Sequence, residues 1–240
     1  MCGRFLLNAT PEEVRMLFGL PEEVPFPARY NIAPTQPVGV VRASPGGRRQ
    51  FSFMRWGLVP SWVADPSTCT LVINARAESL DERPAFRDAF RSRRCLVPAS
   101  GFYEWGPGRF TKRQPYWMRP RAARLIAFAG LYETWTGPDG TTVDSVCIVT
   151  VPANAETRPI HDRMPAVIAL EDHDEWLAPG ELTAKQKERL LRSPPDGTFE
   201  PVAVDTRINA VSNEGPDLLA PPQPQFDLGE PPGRVRAGSS

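Results

Sequence analysis

The chain has 240 residues, of which 41% are hydrophobic and 23% are charged, and its 28 basic and 28 acidic residues cancel. This composition predicts a globular protein long enough to bury a core, whereas no apolar run reaches the roughly 20 residues of a membrane helix and the N-terminus lacks a secretory signal. We therefore expect a cytoplasmic protein with no membrane partner, and the zero net charge gives no global argument for nucleic-acid binding.

The charges are unevenly distributed along the chain. Residues 83–124 carry 11 basic and 2 acidic side chains, whereas residues 125–240 carry 9 basic and 18 acidic ones. A basic segment of this kind can supply a local phosphate-binding face. Arginine provides 25 of the 28 basic residues, which suits bidentate phosphate contacts, although abundant arginine, proline and alanine equally fit a GC-rich genome.

The first chemical feature in chain order is Cys2. Removal of Met1 would leave Cys2 with a free α-amine next to its thiol. Such an amine has a pKa about 2.5 units below that of lysine, so an appreciable fraction is neutral at physiological pH. It can attack an aldehyde to form a Schiff base, and the thiol can then close onto the same carbon as a five-membered thiazolidine. The alternative is a cysteine that stands at position 2 by chance.

The pattern of residues predicts many strands and a few short helices. Thr10 and Glu13 form a capping box around a helix with Pro11 at its first position, and Gly19 ends that helix. Segments rich in β-branched and aromatic residues predict strands at 37–42, 51–58, 69–74, 95–98, 125–132 and 143–151. Further helices are predicted at 84–91, within 172–178 and at 182–192. This order predicts an α+β domain around a curved, barrel-like, mostly antiparallel sheet with short peripheral helices.

The composition changes near Gly215, where proline and then glycine and serine become frequent. We therefore predict a single functional domain at residues 1–214 and a disordered tail at 215–240.

Two segments offer candidate polar groups on strands. In the first, alternation places Asn74, Arg76 and Glu78 on one face, which is either a polar binding surface or a solvated sheet edge. In the second, Glu104 stands among aromatic residues at 102–105. Burial there would raise its pKa and suit it to proton transfer, whereas a glutamate that points to water from an inward-facing strand is the alternative.

The two histidines differ in context. His161 precedes a charged pair and a predicted strand, so it is a candidate acid–base group, although the residue taken alone favours a structural role. His173 lies in an acidic run and is predicted to be a solvated helix start. Trp56 and Trp62 flank a turn beside an arginine, as in surfaces that stack single-stranded nucleic acid, although core packing is expected to take at least one of them.

No Walker loop, dinucleotide fingerprint or GxSxG motif is present. The histidines are far apart and the four cysteines lie singly along the chain, so a zinc site is not expected. We predict no cofactor, and reduced, buried thiols at Cys69, Cys95 and Cys147.

Six motifs together closely resemble the SRAP family, the SOS-response-associated peptidases, also called abasic-site processing proteins. They occur in order over residues 2–213, and none departs from the family pattern. The motifs are MCGRF at 1–5, YNIAP at 30–34, RWGLVP at 55–60, NARAE at 74–78, GFYEW at 101–105 and HDRMP at 161–165.

The resemblance implies a barrel-like fold with a positively charged groove for single-stranded DNA. It also implies a covalent link, formed through Cys2, to the ring-opened aldehyde of an abasic site during the DNA damage response. In this family pattern Asn74 holds the thiazolidine or sugar, while Glu104 and His161 move protons.

The resemblance also implies contacts to DNA. Arg4 and Arg76 would bind flanking phosphates, and Asn31, Trp56 and Trp105 would contact the groove. The expected partner is single-stranded DNA with abasic sites, bound by a monomer that is nucleoid-associated when on DNA and that could meet other proteins at replication forks.

Three other functions stay open at this point. The first is a thiol amidohydrolase, because an N-terminal cysteine also serves glutamine amidotransferases. The second is proteolysis, at least of the bond after Met1, by Cys2 with His161 and Asn74. The third is a DNA-binding module without enzymatic activity, in which Cys2 has no role.

Overall fold

The computed structural model describes residues 2–107 and 113–222. Its α-helices there are α1 (Pro11–Phe18), α2 (Pro84–Ser92), α3 (His173–Leu177) and α4 (Ala184–Leu190). Its strands there are β1 (Phe5–Leu7), β2 (Arg29–Ile32), β3 (Pro37–Ala43), β4 (Arg49–Trp56), β5 (Asn74–Arg76), β6 (Arg94–Ala99), β7 (Phe102–Gly106), β8 (Gln114–Pro120), β9 (Ile126–Thr136), β10 (Thr142–Pro152), β11 (Arg163–Pro165), β12 (Val167–Ile168) and β13 (Phe199–Ala203). None of the helices in these two ranges is long and apolar enough to cross a membrane.

Five strands close into a barrel in the order β10, β4, β3, β6 and β9, because β9 pairs again with β10. The β4–β10 pairing is parallel and the other four are antiparallel. β5 adds to β10 in parallel, and β11 and β12 extend the sheet as short antiparallel strands. The predicted fold class, a single α+β domain around a barrel-like, mostly antiparallel sheet, is confirmed.

A second sheet brings the N-terminus against the barrel. Its order is β13, β8, β7, β1 and β2. Phe5 pairs with Phe102 across β1 and β7, and its ring meets the barrel residues Trp56 and Phe128 edge-on, with centroids 5.2 and 6.0 Å away. These large apolar contacts hold β1 to the barrel, so the segment from Cys2 to β1 lies where the two sheets meet.

The short-range signals that predicted α1 are all present. The Thr10 hydroxyl accepts from the Glu13 amide while the Glu13 carboxylate accepts from the Thr10 amide, and Gly19 ends the helix in the left-handed conformation with φ of 59°. Such caps satisfy backbone groups that a helix end leaves unpaired. Val14 and Phe18 are the buried residues of this helix, which anchor it to the core.

Five of the six predicted strands match β3, β4, β6, β9 and β10. The prediction of a strand over residues 69–74 is wrong. That segment follows a 3-10 helix at Pro66–Thr68. It makes only an isolated bridge, between Val72 and Leu58, before β5 begins at Asn74. Its apolar residues pack as an irregular connection, which residue type alone does not distinguish from a strand.

The end of the described chain packs against the second sheet. Pro216–Leu219 forms a 3-10 helix, Leu218 is only 1% exposed, and the Ala220 carbonyl accepts from the Asp205 amide at 3.1 Å. Ordered packing therefore continues past the predicted boundary at residue 214. Residues 223–240 of the predicted tail lie outside the described residues.

The prediction of a solvated His173 is wrong. Its side chain is 2% exposed and stacks on the Phe18 ring with centroids 5.3 Å apart. Burial lowers the pKa of this imidazole, and the charge of Arg49 adds to the effect. This stacked ring holds the start of α3 to α1. The acidic neighbours of His173 along the chain gave no indication of this packing.

We expect the stability of the protein to fall in mild acid because of His173. The pKa of His173 is lower in the folded protein than in the unfolded chain, so its contribution to stability is present above the unfolded pKa of about 6.5. This contribution is lost as pH falls below that value, by up to about 1.4 kcal/mol per pH unit. Urea unfolding near neutral pH and at about pH 5.5 measures this loss. A His173→Phe variant should lose less stability than wild type, and equal losses would contradict the assignment.

Candidate active site at the N-terminal cysteine

Cys2 lies in the hydrophobic core with no exposed surface. Its carbonyl oxygen accepts a hydrogen bond of 2.9 Å from Nδ2 of Asn74, and its Sγ lies 3.9 Å from the carbonyl oxygen of Arg4. This hydrogen bond joins the N-terminal segment to β5, a strand 72 residues away in sequence. The predicted pair Cys2 and Asn74 is therefore in direct contact.

The Cys2 thiol is held in its neutral form. Burial raises its pKa far above the ordinary value, and the negative charge of Glu104 raises it further. Nucleophilic cysteines of hydrolases need the opposite, a lowered pKa that gives a thiolate. This environment therefore disfavours the thiol amidohydrolase and the cysteine protease, in which the thiolate attacks first.

Glu104 is buried inside the site, with 4% of its surface exposed, on β7 opposite Tyr116 of β8. Burial raises the pKa of its carboxyl group, and the nearby His161 acts in the opposite direction. The alternative of a glutamate that points to water is wrong. A buried carboxyl group with a raised pKa can hold a proton and pass it to a reacting group.

His161 lies in the loop before β11 with 24% of its side chain exposed. Its Nδ1 accepts the backbone N–H of Arg163 at 2.9 Å, and a carboxylate oxygen of Asp162 lies 3.0 Å from the same atom. Nδ1 thus has a backbone N–H and a carboxylate oxygen beside it, and these contacts hold the orientation of the ring.

Four chain segments thus converge on one place. Asn74 binds Cys2, the charge of Glu104 acts on the Cys2 thiol, and the charge of His161 acts on Glu104. The Asn74 side-chain oxygen is buried and accepts no hydrogen bond from the described residues. In residues 2–107 and 113–222 no cluster of His, Cys, Asp or Glu is arranged to hold a metal ion.

Arg4 is a half-buried cation beside the site. Its Nη1 donates to Oδ1 of Asn31 at 2.6 Å and to the Ile208 carbonyl at 2.8 Å, and its guanidinium lies 5.7 Å from the Trp105 ring centre. Burial lowers its pKa. Trp105 is itself half-buried and donates from Nε1 to Asn209 at 2.7 Å. Arg4 and Trp105 therefore form one stacked unit.

Two residues predicted to contact the groove do not reach the surface. Asn31 is fully buried, and its Nδ2 donates to three carbonyl groups between Ile208 and Asn213. Trp56 is fully buried, and its Nε1 donates to the Ile73 carbonyl at 3.0 Å, next to Asn74. Both predictions are corrected: Asn31 orients Arg4, and Trp56 supports the start of β5.

Arg76 is exposed at the end of β5, as a phosphate contact requires. Glu78 lies in a 3-10 helix after β5, and its carboxylate accepts hydrogen bonds from the two terminal guanidinium nitrogens of Arg163, at 2.6 and 2.9 Å. Arg163 also donates to the Thr150 carbonyl of β10. The sequence analysis missed this role of Arg163, because only the register of β5, β10 and β11 brings the pair together.

We expect Glu78→Gln to lower the free energy of unfolding by about 1 kcal/mol or less, since an exposed carboxylate gains little from an ion pair. Urea unfolding measures the loss, with Glu82→Gln, another exposed glutamate, as control. The pKa of Glu78 is lowered mainly by its hydrogen bond to Arg163, so the difference from wild type should vanish in acid below the folded pKa. A difference that persists there would contradict this origin.

The sequence of the chain is similar to those of known proteins. The family profile described as SOS response associated peptidase (SRAP) matches residues 1–211. Abasic site processing protein YoqW of Bacillus subtilis (strain 168) is 34% identical over 222 residues, which cover 91% of this chain and 99% of the relative. Abasic site processing protein HMCES of Xenopus tropicalis is 28% identical over 267 residues, covering 92% and 78%.

Solved structures share the fold. A crystal structure of a protein from Bacteroides thetaiotaomicron superposes with a TM-score of 0.80 at 22% identity, covering 92% of this chain and all of the other. The crystal structure of a phage-related protein from Bordetella bronchiseptica gives a TM-score of 0.67 at 26% identity, covering 85% and 94%. The profile match spans nearly all of the described residues, and the chain belongs to the SRAP family.

Proposed function

We propose that this protein captures abasic sites in single-stranded DNA covalently through Cys2. The observation that carries the proposal is the convergence of Asn74, Glu104 and His161 on Cys2, which becomes the first residue of the chain once Met1 is removed. The names of the relatives YoqW and HMCES, both abasic site processing proteins, support the same substrate.

The reaction begins with the α-amine of Cys2. The neutral amine adds to the aldehyde carbon, and the resulting carbinolamine loses its hydroxyl group as water to give a Schiff base. The thiol then adds to the imine carbon, its proton passes to the nitrogen, and a thiazolidine forms.

Glu104 moves the protons of these steps. Its raised pKa allows it to give a proton to the departing hydroxyl group and to accept one from the adding thiol. His161 has the complementary task of opening the sugar, since an N–H on Nε2 can donate to the ring oxygen of the closed hemiacetal. The buried acceptor oxygen of Asn74 can hold an N–H or hydroxyl group of the intermediate.

The flanking DNA is held by cations and an aromatic ring. Arg76 is exposed near Asn74 in β5, and Arg4 is stacked on Trp105. We assign phosphate contacts to both arginines and base or sugar contacts to Trp105. The bound protein acts as a monomer on the DNA, and its association with the nucleoid follows from this binding.

Removal of Met1 is a required first step, because only then does Cys2 carry a free amine, and the buried thiol must also become accessible. Either the site performs this cleavage on itself or an aminopeptidase performs it. A His161→Ala variant that alone retains Met1 by mass spectrometry would support self-processing, whereas complete removal in that variant assigns the step to an aminopeptidase. A weak lyase activity follows wherever the Schiff base forms and ring closure fails.

A denaturing gel with an abasic oligonucleotide tests the proposal. Wild-type protein with Cys2 exposed should shift the labelled strand in a band that survives denaturation, and the same strand without an abasic site should not shift. A DNA-binding module without chemistry would give no such band, and neither would a thiol amidohydrolase.

A further inference from the structure

A cleft of about 490 Å³ lies on the second sheet away from Cys2. Its lining includes Trp117, Asn8 and three arginines, Arg119, Arg121 and Arg124, and we name it the Arg119–Arg124 cleft. The three arginines come from the basic segment 83–124, whose charge the candidate active site leaves unused. The other described arginines of that segment are spread over α2 and its two ends, β6 and residue 113.

The counter-charges of the cleft are few and exposed. Glu200 lies 2.6 Å from Arg119 and 3.9 Å from Arg121, and Glu13 lies 3.3 Å from Arg124. The arginine side chains keep 47%, 54% and 64% of their surface exposed. Ion pairs of this kind contribute little to stability, so phosphate groups can replace the carboxylates, and guanidinium groups bind phosphate bidentately.

An aromatic ring completes the cleft. Trp117 is half-buried, its Nε1 donates to the Ser100 carbonyl at 3.3 Å, and the guanidinium of Arg119 lies 5.7 Å from its ring centre. The ring is therefore fixed in orientation beside a cation. Proteins that bind single strands combine such a basic groove with aromatic platforms for bases, whereas an inorganic anion or an acidic peptide would leave the ring without a role.

The cleft is connected to the candidate active site by two strands. Asn8 follows Cys2 by six residues, which span at most about 20 Å. On β8, Tyr116 pairs with Glu104, and Arg119 comes three residues later, about 10 Å along the strand and on the opposite face of the sheet. A strand of several nucleotides, at about 3.4 Å per stacked nucleotide, can run round the sheet from one site to the other.

We propose that the Arg119–Arg124 cleft binds the single strand on one side of the captured nucleotide, through its phosphates and a base stacked on Trp117. The identity of the ligand as single-stranded DNA rests on the proposed function. The cleft gives the protein a second point of attachment, so that the abasic nucleotide is presented from a strand held at a distance from Cys2.

Fluorescence anisotropy of a labelled single strand without an abasic site tests the cleft independently of covalent chemistry. The double variant Arg119→Gln/Arg121→Gln removes two phosphate contacts and should lower the salt slope by about 1.4. Between about 50 and 200 mM salt, wild type should then lose about sevenfold more affinity than this variant. Arg87→Gln/Arg91→Gln, two exposed arginines of α2 in the same basic segment, is the matched control and should keep the wild-type slope.

Glu200→Gln should have the opposite effect and raise the affinity for the single strand, because it removes a competing carboxylate. An unchanged salt slope in the double variant, no gain with Glu200→Gln, or no binding by wild type would each overturn the cleft. Adduct gels on the same proteins separate the two proposals. If wild type forms the adduct and the variants bind the strand as wild type does, only the cleft is refuted. If the variants bind differently but wild type forms no adduct, only the covalent function is refuted.

Discussion

Replacing Cys2 with alanine is expected to abolish the stable adduct with abasic DNA. Alanine keeps the α-amine after Met1 is removed, so a Schiff base still forms, but no thiol can add to it. The open Schiff base permits β-elimination, and the strand should therefore be cut beside the abasic site. A denaturing gel that resolves adduct, intact strand and cleaved strand measures both changes at once.

The controls for this prediction use another cysteine and a weaker nucleophile. Cys69 is a partly exposed free cysteine, and Cys69→Ala should form adduct at the wild-type rate. Cys2→Ser keeps an amine beside a hydroxyl group, which is a weaker nucleophile than the thiol, and should behave like the alanine variant. Wild-type amounts of heat-stable adduct in Cys2→Ala would contradict thiazolidine formation.

Replacing Glu104 with glutamine should slow capture by about 10² to 10⁴, the range for loss of a positioned proton-transfer group. The wild-type rate should fall with rising pH as the buried acid is deprotonated, and this limb should be missing in Glu104→Gln. Single-turnover adduct formation across pH measures both effects. Unchanged rates would show that the carboxyl group moves no proton in the slow step.

The same substitution should stabilise the fold near neutral pH. The pKa of Glu104 is raised in the folded state, mainly by burial, so its stabilisation is present below the unfolded pKa and is lost as pH rises through the folded pKa. Glutamine has nearly the same shape as glutamate but carries no charge, so the free-energy cost of the buried carboxylate is removed. Glu133→Gln, which weakens a partly buried ion pair with Arg93, should lose stability instead and leave the capture rate unchanged.

The sequence predicted the parts of the fold that depend on local signals. The Thr10–Glu13 capping box and Gly19 define α1, and β-branched and aromatic residues define the barrel strands β9 and β10. The second sheet was not predicted, since β1 has three residues and depends on Phe5 packing against Trp56 and Phe128. A three-residue strand carries too little periodicity to be recognised from sequence.

The candidate site shows the same division between local and long-range information. The motif resemblance predicted Cys2, Asn74, Glu104 and His161 as one group, and the structure brings these residues together. Burial was predicted less well. Asn31 faces the carbonyl groups near Ile208, 177 residues later in the chain, and such a partner is visible only after folding.

The most direct test of covalent capture is the intact mass of the protein after incubation with an abasic single strand. The account predicts the mass of the chain without Met1 plus that of the oligonucleotide, less one water, with the link mapped to Cys2. A protein whose mass stays unchanged, or an adduct carried by another residue, would contradict it.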